Sequence, residues 1–172
     1  MRLFPTAAAL ALAACSSAPA TQYFMLPDSQ YSRPAAQGEE VAVKVFLAAP
    51  LDNGGLVYQT DALSINFAKN NLWASPLDAA LANSFSNKLN RLNPRYVYAP
   101  AGRSQSGKTL KIYVEAFNGS YRGQTVVVGY AQWPNGQTRP FKAETAQQGD
   151  GYAAMVQSLE QGLQAAAEQI AR

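Results

Sequence analysis

The apolar positions of the chain recur with two different periods. Val41, Val43, Val45 and Leu47 alternate with Ala42, Lys44 and Phe46, and Leu110, Ile112, Val114 and Ala116 alternate with Lys111, Tyr113, Glu115 and Phe117. Period two sends successive side chains to opposite faces, so both segments predict strands with one face toward a core. Leu77, Leu81, Phe85 and Leu89 instead follow one another at helical spacing, with Leu92 closing the stripe. That pattern predicts a helix whose polar positions Asp78, Asn83, Asn87 and Lys88 face solvent. Its start is set by Ser75 as N-cap, Pro76 as first helical residue and Asp78 in the first turn, and its stop by Asn93-Pro94. A second helix is predicted over 151–171, capped by Asp150, with Tyr152, Met155, Val156, Leu159, Leu163, Ala167 and Ile170 along one face.

Turn residues divide the rest. Gln22 to Pro27 reads as a first strand, followed by a loose connection over Asp28 to Glu40. Asn53-Gly54-Gly55 breaks the chain, and Leu56–Thr60 with Leu63–Phe67 predicts a hairpin about Asp61-Ala62. A short strand is expected over Arg95 to Tyr98. Asn118-Gly119 to Arg122-Gly123 predicts a turn into the β-prone stretch Gln124–Trp133, and Pro134-Asn135-Gly136 another into Gln137–Thr145. Three strands joined by short turns form a meander. Strands, a helix, more strands and a helix, without βαβ alternation, predict an α+β fold: two helices packed on one face of a largely antiparallel sheet.

The first fourteen residues do not belong to this pattern. Met1-Arg2 is a positive start, and the apolar run from Leu3 to Leu12 is shorter than the ~20 residues a membrane span needs. It reads as the apolar region of a signal peptide. The run ends in Leu12-Ala13-Ala14-Cys15, which resembles a bacterial lipobox. That resemblance implies cleavage before Cys15, a diacylglyceryl thioether on its sulfur and acylation of the new amino terminus. The expected organisation is a signal peptide over 1–14, an acylated tether over 15–21 and a single domain over 22–172. Several acyl chains at ~0.8 kcal/mol per buried CH₂ hold a protein on a bilayer lastingly. Ser16 and Ser17 follow the Cys where an inner-membrane retention signal has Asp, which favours the inner leaflet of the outer membrane, with the domain in the periplasm.

Composition narrows the chemistry. Among 172 residues there are one Cys and no His. Ser-His-Asp and Cys-His groups, His-ligated metals, disulfides and thiolate clusters are therefore excluded within the chain. The net charge of +3 comes from scattered Lys and Arg and gives no nucleic-acid footprint. Gly102-Arg103-Ser104-Gln105-Ser106-Gly107-Lys108-Thr109 spells a phosphate-binding loop. That loop works only when a helix follows it, whereas period-two residues follow Thr109, and the compartment implied by Cys15 holds no ATP. Asn118-Gly119-Ser120 spells a glycosylation sequon that a hairpin turn explains. Glu115 reads as a cross-strand partner rather than a general acid. Trp73, before the first helix, reads as a hydrophobic staple, with a ligand-stacking role as the other possibility. Binding chemistry remains.

Six segments in order carry a resemblance: Tyr23-Phe24-Met25-Leu26-Pro27; Gly55-Leu56-Val57-Tyr58-Gln59-Thr60; Asn70-Asn71-Leu72-Trp73-Ala74-Ser75-Pro76-Leu77; Phe117-Asn118-Gly119-Ser120-Tyr121-Arg122-Gly123; Arg139-Pro140-Phe141; and Asp150-Gly151-Tyr152 with Met155-Val156. Behind a lipobox, they resemble the PqiC (YmbA) branch of the ABC-type transport auxiliary lipoproteins. Phe24 stands where that branch usually has a second Tyr, and the Gly102–Lys108 loop is individual to this chain. The resemblance implies a non-enzymatic, outer-membrane component of an MCE-type intermembrane lipid-transport system that supports envelope integrity. It further implies a PqiB-like MCE-domain partner, a homo-oligomer, and no cofactor beyond the covalent lipid on Cys15. Tyr58, Trp73, Tyr121 and Tyr152 are the candidate partner-binding aromatics. A lipid-binding module with its own pocket, acting as a periplasmic carrier, is the alternative. A cell-wall enzyme would rest on scattered carboxylates alone.

Overall fold

A computed structural model describes residues 19–172. The expected signal peptide and the acylation at Cys15 lie outside the described residues. The elements in chain order are β1 (Gln22–Phe24), β2 (Glu39–Leu47), β3 (Gly55–Gln59), β4 (Ile65–Trp73), α1 (Leu77–Leu92), β5 (Tyr96–Pro100), β6 (Thr109–Ser120), β7 (Gln124–Gln132), β8 (Thr138–Ala146) and α2 (Gly151–Ala171). The predicted hairpin is present as β3–β4 and the predicted meander as β6–β7–β8, all antiparallel. One edge of β6 carries β7 along its length. Its other edge is shared, with β2 pairing from Thr109 to Val114 and β3 pairing at Gly119 and Ser120. Both pair parallel to β6, as do β5 to β2 and β1 to β4, so the sheet is mixed. Parallel neighbours need a long crossover, which the β3–β4 hairpin and α1 supply between β2 and β5.

Both helices lie side by side on one face of this sheet, α1 over β2 and β5 and α2 over β7 and β8. The predicted stripes fill the interface: Leu81, Phe85 and Leu89 from α1 and Leu159, Leu163 and Ile170 from α2 are fully buried against Leu110, Ile112, Val114 and Phe117 of β6. Leu92 is exposed and does not close the α1 stripe. Asp150 stands at the N-cap of α2, as expected, with extended backbone but no side-chain cap bond, whereas the N-cap of α1 is Pro76 rather than Ser75, again without a side-chain bond.

Within β6 the expected alternation slips. A bulge between Val114 and Ala116 turns Phe117 inward and leaves Ala116 half-buried, because one extra residue exchanges the two faces. Opposite it, Gly129 lies so close to β6 that a Cβ would overlap the Tyr113 carbonyl oxygen and the Phe141 ring. Asn118 and Gly119 belong to the strand, and the turn is formed by Tyr121 to Gly123, with Gly123 at φ 72°. Two carboxamides pair exposed strand edges as a further strand would. Asn90 bonds both the N–H and C=O of Tyr98 at 2.8 Å, and Gln169 bonds those of Lys142 at 3.0 Å.

The main departure from expectation concerns the polar side of α1. Asp78 is exposed, but Asn87 and Lys88 are only 4% and 2% exposed. The segment from Leu26 to Arg33 crosses this side of the helix. Asn87 accepts a hydrogen bond from Ser32 N–H and donates to the Asp28 and Gln30 carbonyls, while Asn83 donates to that of Ser29. The Lys88 ammonium sits between Asp28 Oδ2, at 3.1 Å, and Glu160 Oε1 of α2. Burial pushes the Asp28 carboxyl up, but hydrogen bonds from Arg91 and Lys88 outweigh it and hold it below its ordinary 3.8. Burial raises Glu160 above its ordinary 4.5 despite Lys88. The contribution of Asp28 to stability is therefore full above 3.8 and lost as pH falls through its lower folded value. That of Glu160 is full below 4.5 and lost as pH rises through its higher folded value.

Removing the ammonium leaves Glu160 without its ion-pair partner and Asp28 paired with Arg91 alone. Lys88→Ala is expected to lower the unfolding free energy at neutral pH by about 3 kcal/mol in urea titration. Lys142→Ala, at an exposed pair with Glu144, is expected to leave the urea midpoint unchanged.

Candidate functional site

The strand registers define one end of the sheet. Ile65 pairs with Gln59, Gln59 with Ser120, Ser120 with Gln124, and Gln124 with Ala146, a continuous line across four strand boundaries. Three connections cluster beyond that line: the β3–β4 loop, the β6–β7 turn, and the segment from Gln147 that leads into α2. β1 is parallel to β4, with Gln22 opposite Asn71 and Phe24 opposite Trp73, so the chain enters β1 from the Ile65 side.

At this end lies an open groove of about 480 Å³ lined by Tyr58, Gln59, Gly119, Tyr121, Tyr152 and Met155, among others. The Tyr58 and Tyr152 rings meet edge-on at 6.0 Å, and Phe24 packs on Tyr152 at 6.1 Å. Burial and the neighbouring Tyr58 raise the Tyr152 phenol above its ordinary value, so it stays a neutral hydrogen-bonding group. Gly119 forms part of the floor, where a Cβ would collide with Met155 Sδ. Tyr121, 47% exposed, forms the rim. Arg122 Nε donates to its Oη at 3.2 Å, and the guanidinium lies 5.4 Å from its ring. The groove thus offers aromatic faces and phenol groups, with the Arg122 cation beside its Tyr121 rim, a surface suited to an amphipathic partner.

Tyr58, Tyr121 and Tyr152, distant in sequence, are brought together here. Trp73 is not with them: it is 8% exposed, the last residue of β4, and packs on Phe117 at 5.8 Å. Its ring therefore belongs to the core and offers a partner almost no surface. Gln59, Gly119 and Met155 complete the groove without having been singled out by sequence. Gly119 was hidden because Asn118-Gly119 reads as a turn, and Met155 because it falls on the core stripe of α2.

Elsewhere, the residues that spell a phosphate-binding loop form a strap over the start of β2. Ser104 Oγ donates to Glu40 Oε1 at 2.6 Å, Ser106 Oγ to the Glu40 carbonyl at 2.6 Å, and Lys108 pairs with Glu39. A strand, β6, follows at Thr109. Among the described residues, no group of three or more Asp or Glu side chains is placed to hold a metal ion, and no helix is long and apolar enough to cross a membrane.

Comparison with known proteins places residues 24–171 under the family model for the ABC-type transport auxiliary lipoprotein component. The chain is 39% identical over 168 residues to the intermembrane transport lipoprotein PqiC of Escherichia coli K12, covering 90% of this chain and 87% of that protein. It is equally similar to PqiC of Shigella flexneri. A crystal structure of an uncharacterized protein, 34% identical, superposes with a TM-score of 0.75 over 90% of this chain and 98% of the other. A Xanthomonas campestris protein, 15% identical, shares the fold at a TM-score of 0.63 over 87% of this chain and 92% of the other.

The different placements of two candidate aromatics give opposite expectations for stability. Trp73→Ala should cost about 3–5 kcal/mol of unfolding free energy. Tyr121→Ala should leave the thermal midpoint where it is, which differential scanning calorimetry of both variants would check.

Proposed function

Because the chain belongs to the ABC-type transport auxiliary lipoprotein family, matched from residue 24 to residue 171, we propose that it is the outer-membrane-anchored component of an MCE-type intermembrane lipid-transport system. In this reading Cys15 carries the acyl chains, and Ser16-Ser17 directs the protein to the inner leaflet of the outer membrane. The periplasmic domain then docks the distal end of a PqiB-like MCE-domain protein and works as a homo-oligomer that supports envelope integrity. The similarity to PqiC, an intermembrane transport lipoprotein, supports the system; the lipobox residues support the anchor.

The observation that carries the docking part is the coincidence of the tyrosine groove with the end from which the chain enters β1. A protein that delivers lipid to a membrane must be met beside that membrane, and a short tether keeps this end there. The seven residues from Cys15 to Thr21 reach at most about 25 Å when extended. The groove is open along its length rather than enclosed, which favours a docking surface over the interior pocket of a lipid carrier.

Co-purification of the acylated chain with the MCE-domain protein tests this. The unsubstituted chain is expected to retain the partner, and Tyr121→Ala, which removes the exposed ring at the groove's rim, to weaken retention about fivefold. Retention unchanged by Tyr121→Ala would remove the groove from the contact, and no retention by either chain would remove the docking role.

A further inference from the structure

The hairpin tip beside the groove carries aliphatic side chains in an unusual setting. Leu63 is 97% exposed, the most open large hydrophobic residue among those described, and Ile65 is 48% exposed; Tyr23 and Met25, on and just after β1 beside the tether, are open too. Leu63 and Ile65 are held there by design of the loop. Asp61 Oδ1 accepts hydrogen bonds from Leu63 N–H at 2.8 Å and Ser64 N–H at 2.9 Å, closing an Asx turn, and Thr60 N–H is bonded to the Ser64 carbonyl at 3.0 Å. Leu63 is therefore presented on a fixed turn rather than left to fold back onto the sheet. Tyr121 and Arg122 stand at the same end, beyond the pairing of Gln59 with Ser120.

Chain direction says what faces this tip. Continuing from Gln22, opposite Asn71, toward Ile65 at the start of β4 spans six residues, at most about 20 Å at strand rise and less where β4 bulges against β3 between Phe67 and Leu72. The seven residues from Cys15 to Thr21 are just long enough to cover it. A bilayer holding Cys15 is thus within reach of the tip. Residues at such a boundary sort by chemistry: aliphatic side chains enter hydrocarbon, Tyr sits at headgroup depth and Arg meets phosphate. Asp61 is the one acid on this tip, and its carboxylate is engaged by the turn.

We propose that Leu63 and Ile65 insert into the outer-membrane bilayer, with the Arg122 guanidinium at the headgroups, so that the tether and the hairpin tip together fix the domain upright. The inference rests on the lipid-anchored reading above. Two aliphatic side chains bind a bilayer weakly by themselves, but a tether of this length keeps them at high effective concentration beside it.

Fluorescence of the acylated full-length chain in phosphatidylethanolamine and phosphatidylglycerol vesicles tests this. Leu63→Trp and, at the opposite end of the sheet, Asn135→Trp are each compared with the unsubstituted chain, whose Trp73 and Trp133 signal is subtracted. In vesicles with brominated acyl chains, the Leu63→Trp signal should fall by half or more relative to unbrominated vesicles, and that of Asn135→Trp should not change. Equal Leu63→Trp emission in both vesicles, with the protein floating on them, would overturn the insertion and leave the anchor standing. Quenching of Asn135→Trp instead would show the domain inverted and overturn it too, as would a blue-shifted, concentration-dependent Leu63→Trp signal without vesicles, which marks a second copy as the cover. Failure of the chain to float at all would remove the anchored reading and this proposal with it.

Discussion

One buried ammonium ties the layers of this molecule together. Lys88 projects from α1 between Asp28, on the segment that follows β1, and Glu160, on α2. Taking the ammonium out of water between two partly exposed carboxylates is costly, and hydrophobic residues of similar volume could stabilise as well. A charge cluster, however, fixes direction: the ammonium reaches both carboxylates only when α1 and α2 stand in one relative position and the 26–33 segment lies across them. Asn83, Asn87 and Arg91 extend the same contact along the helix, with Arg91 Nη2 2.6 Å from Asp28 Oδ2. Asp28 takes a positive φ of 58° to present its carboxylate and its carbonyl to one helix face, a conformation Asp tolerates better than most residues. The position of α2 then sets where its first turn, with Tyr152 and Met155, meets β3 and β6. The groove at the far end of α2 thus depends on a clamp it does not touch.

The sheet supplies the other half of the arrangement. Because β6 is long enough to take β2 on one half of an edge and β3 on its end, the β3–β4 hairpin is carried past the β2–β5 pair and its loop is left standing free. The same extension places the β6–β7 turn beside that loop. Two ordinary turns, one on each side of a parallel pairing, thereby build a working end from residues about sixty positions apart. At the opposite end the 104–108 strap covers the start of β2 and Trp133 packs among Tyr96 and Tyr98, beside a smaller pocket of about 290 Å³ lined by Val41, Tyr96, Lys108 and Trp133.

Much of this was legible in the residues themselves. The α2 stripe, the bounds of that helix and the antiparallel meander follow from periodicity and turn residues, since each is a local pattern. The family resemblance rested on six motifs whose order needed no geometry, and three of its four chosen aromatics share one groove. What the pattern could not give was whatever depended on a remote partner. Asn87 and Lys88 read as solvent-facing because their cover comes from an irregular segment some sixty residues upstream, with no periodicity to reveal it. The bulge at Glu115 inverts Ala116 and Phe117, and only pairing with β7 shows it. Trp73 reads first as a hydrophobic staple and only second as a binding aromatic, and its burial against Phe117 agrees with a core role. Leu63 looked like the start of a strand, and its exposure follows from a five-residue loop held by Asp61.

If the domain docks an MCE-domain protein, the tyrosine-groove end of the sheet is where they meet. Photo-crosslinking in intact cells tests this most directly, with p-benzoylphenylalanine placed at position 121 in one strain and at position 135 in another. A covalent adduct with the MCE-domain protein is expected from position 121 and none from position 135. Adducts from position 135 alone would contradict that placement.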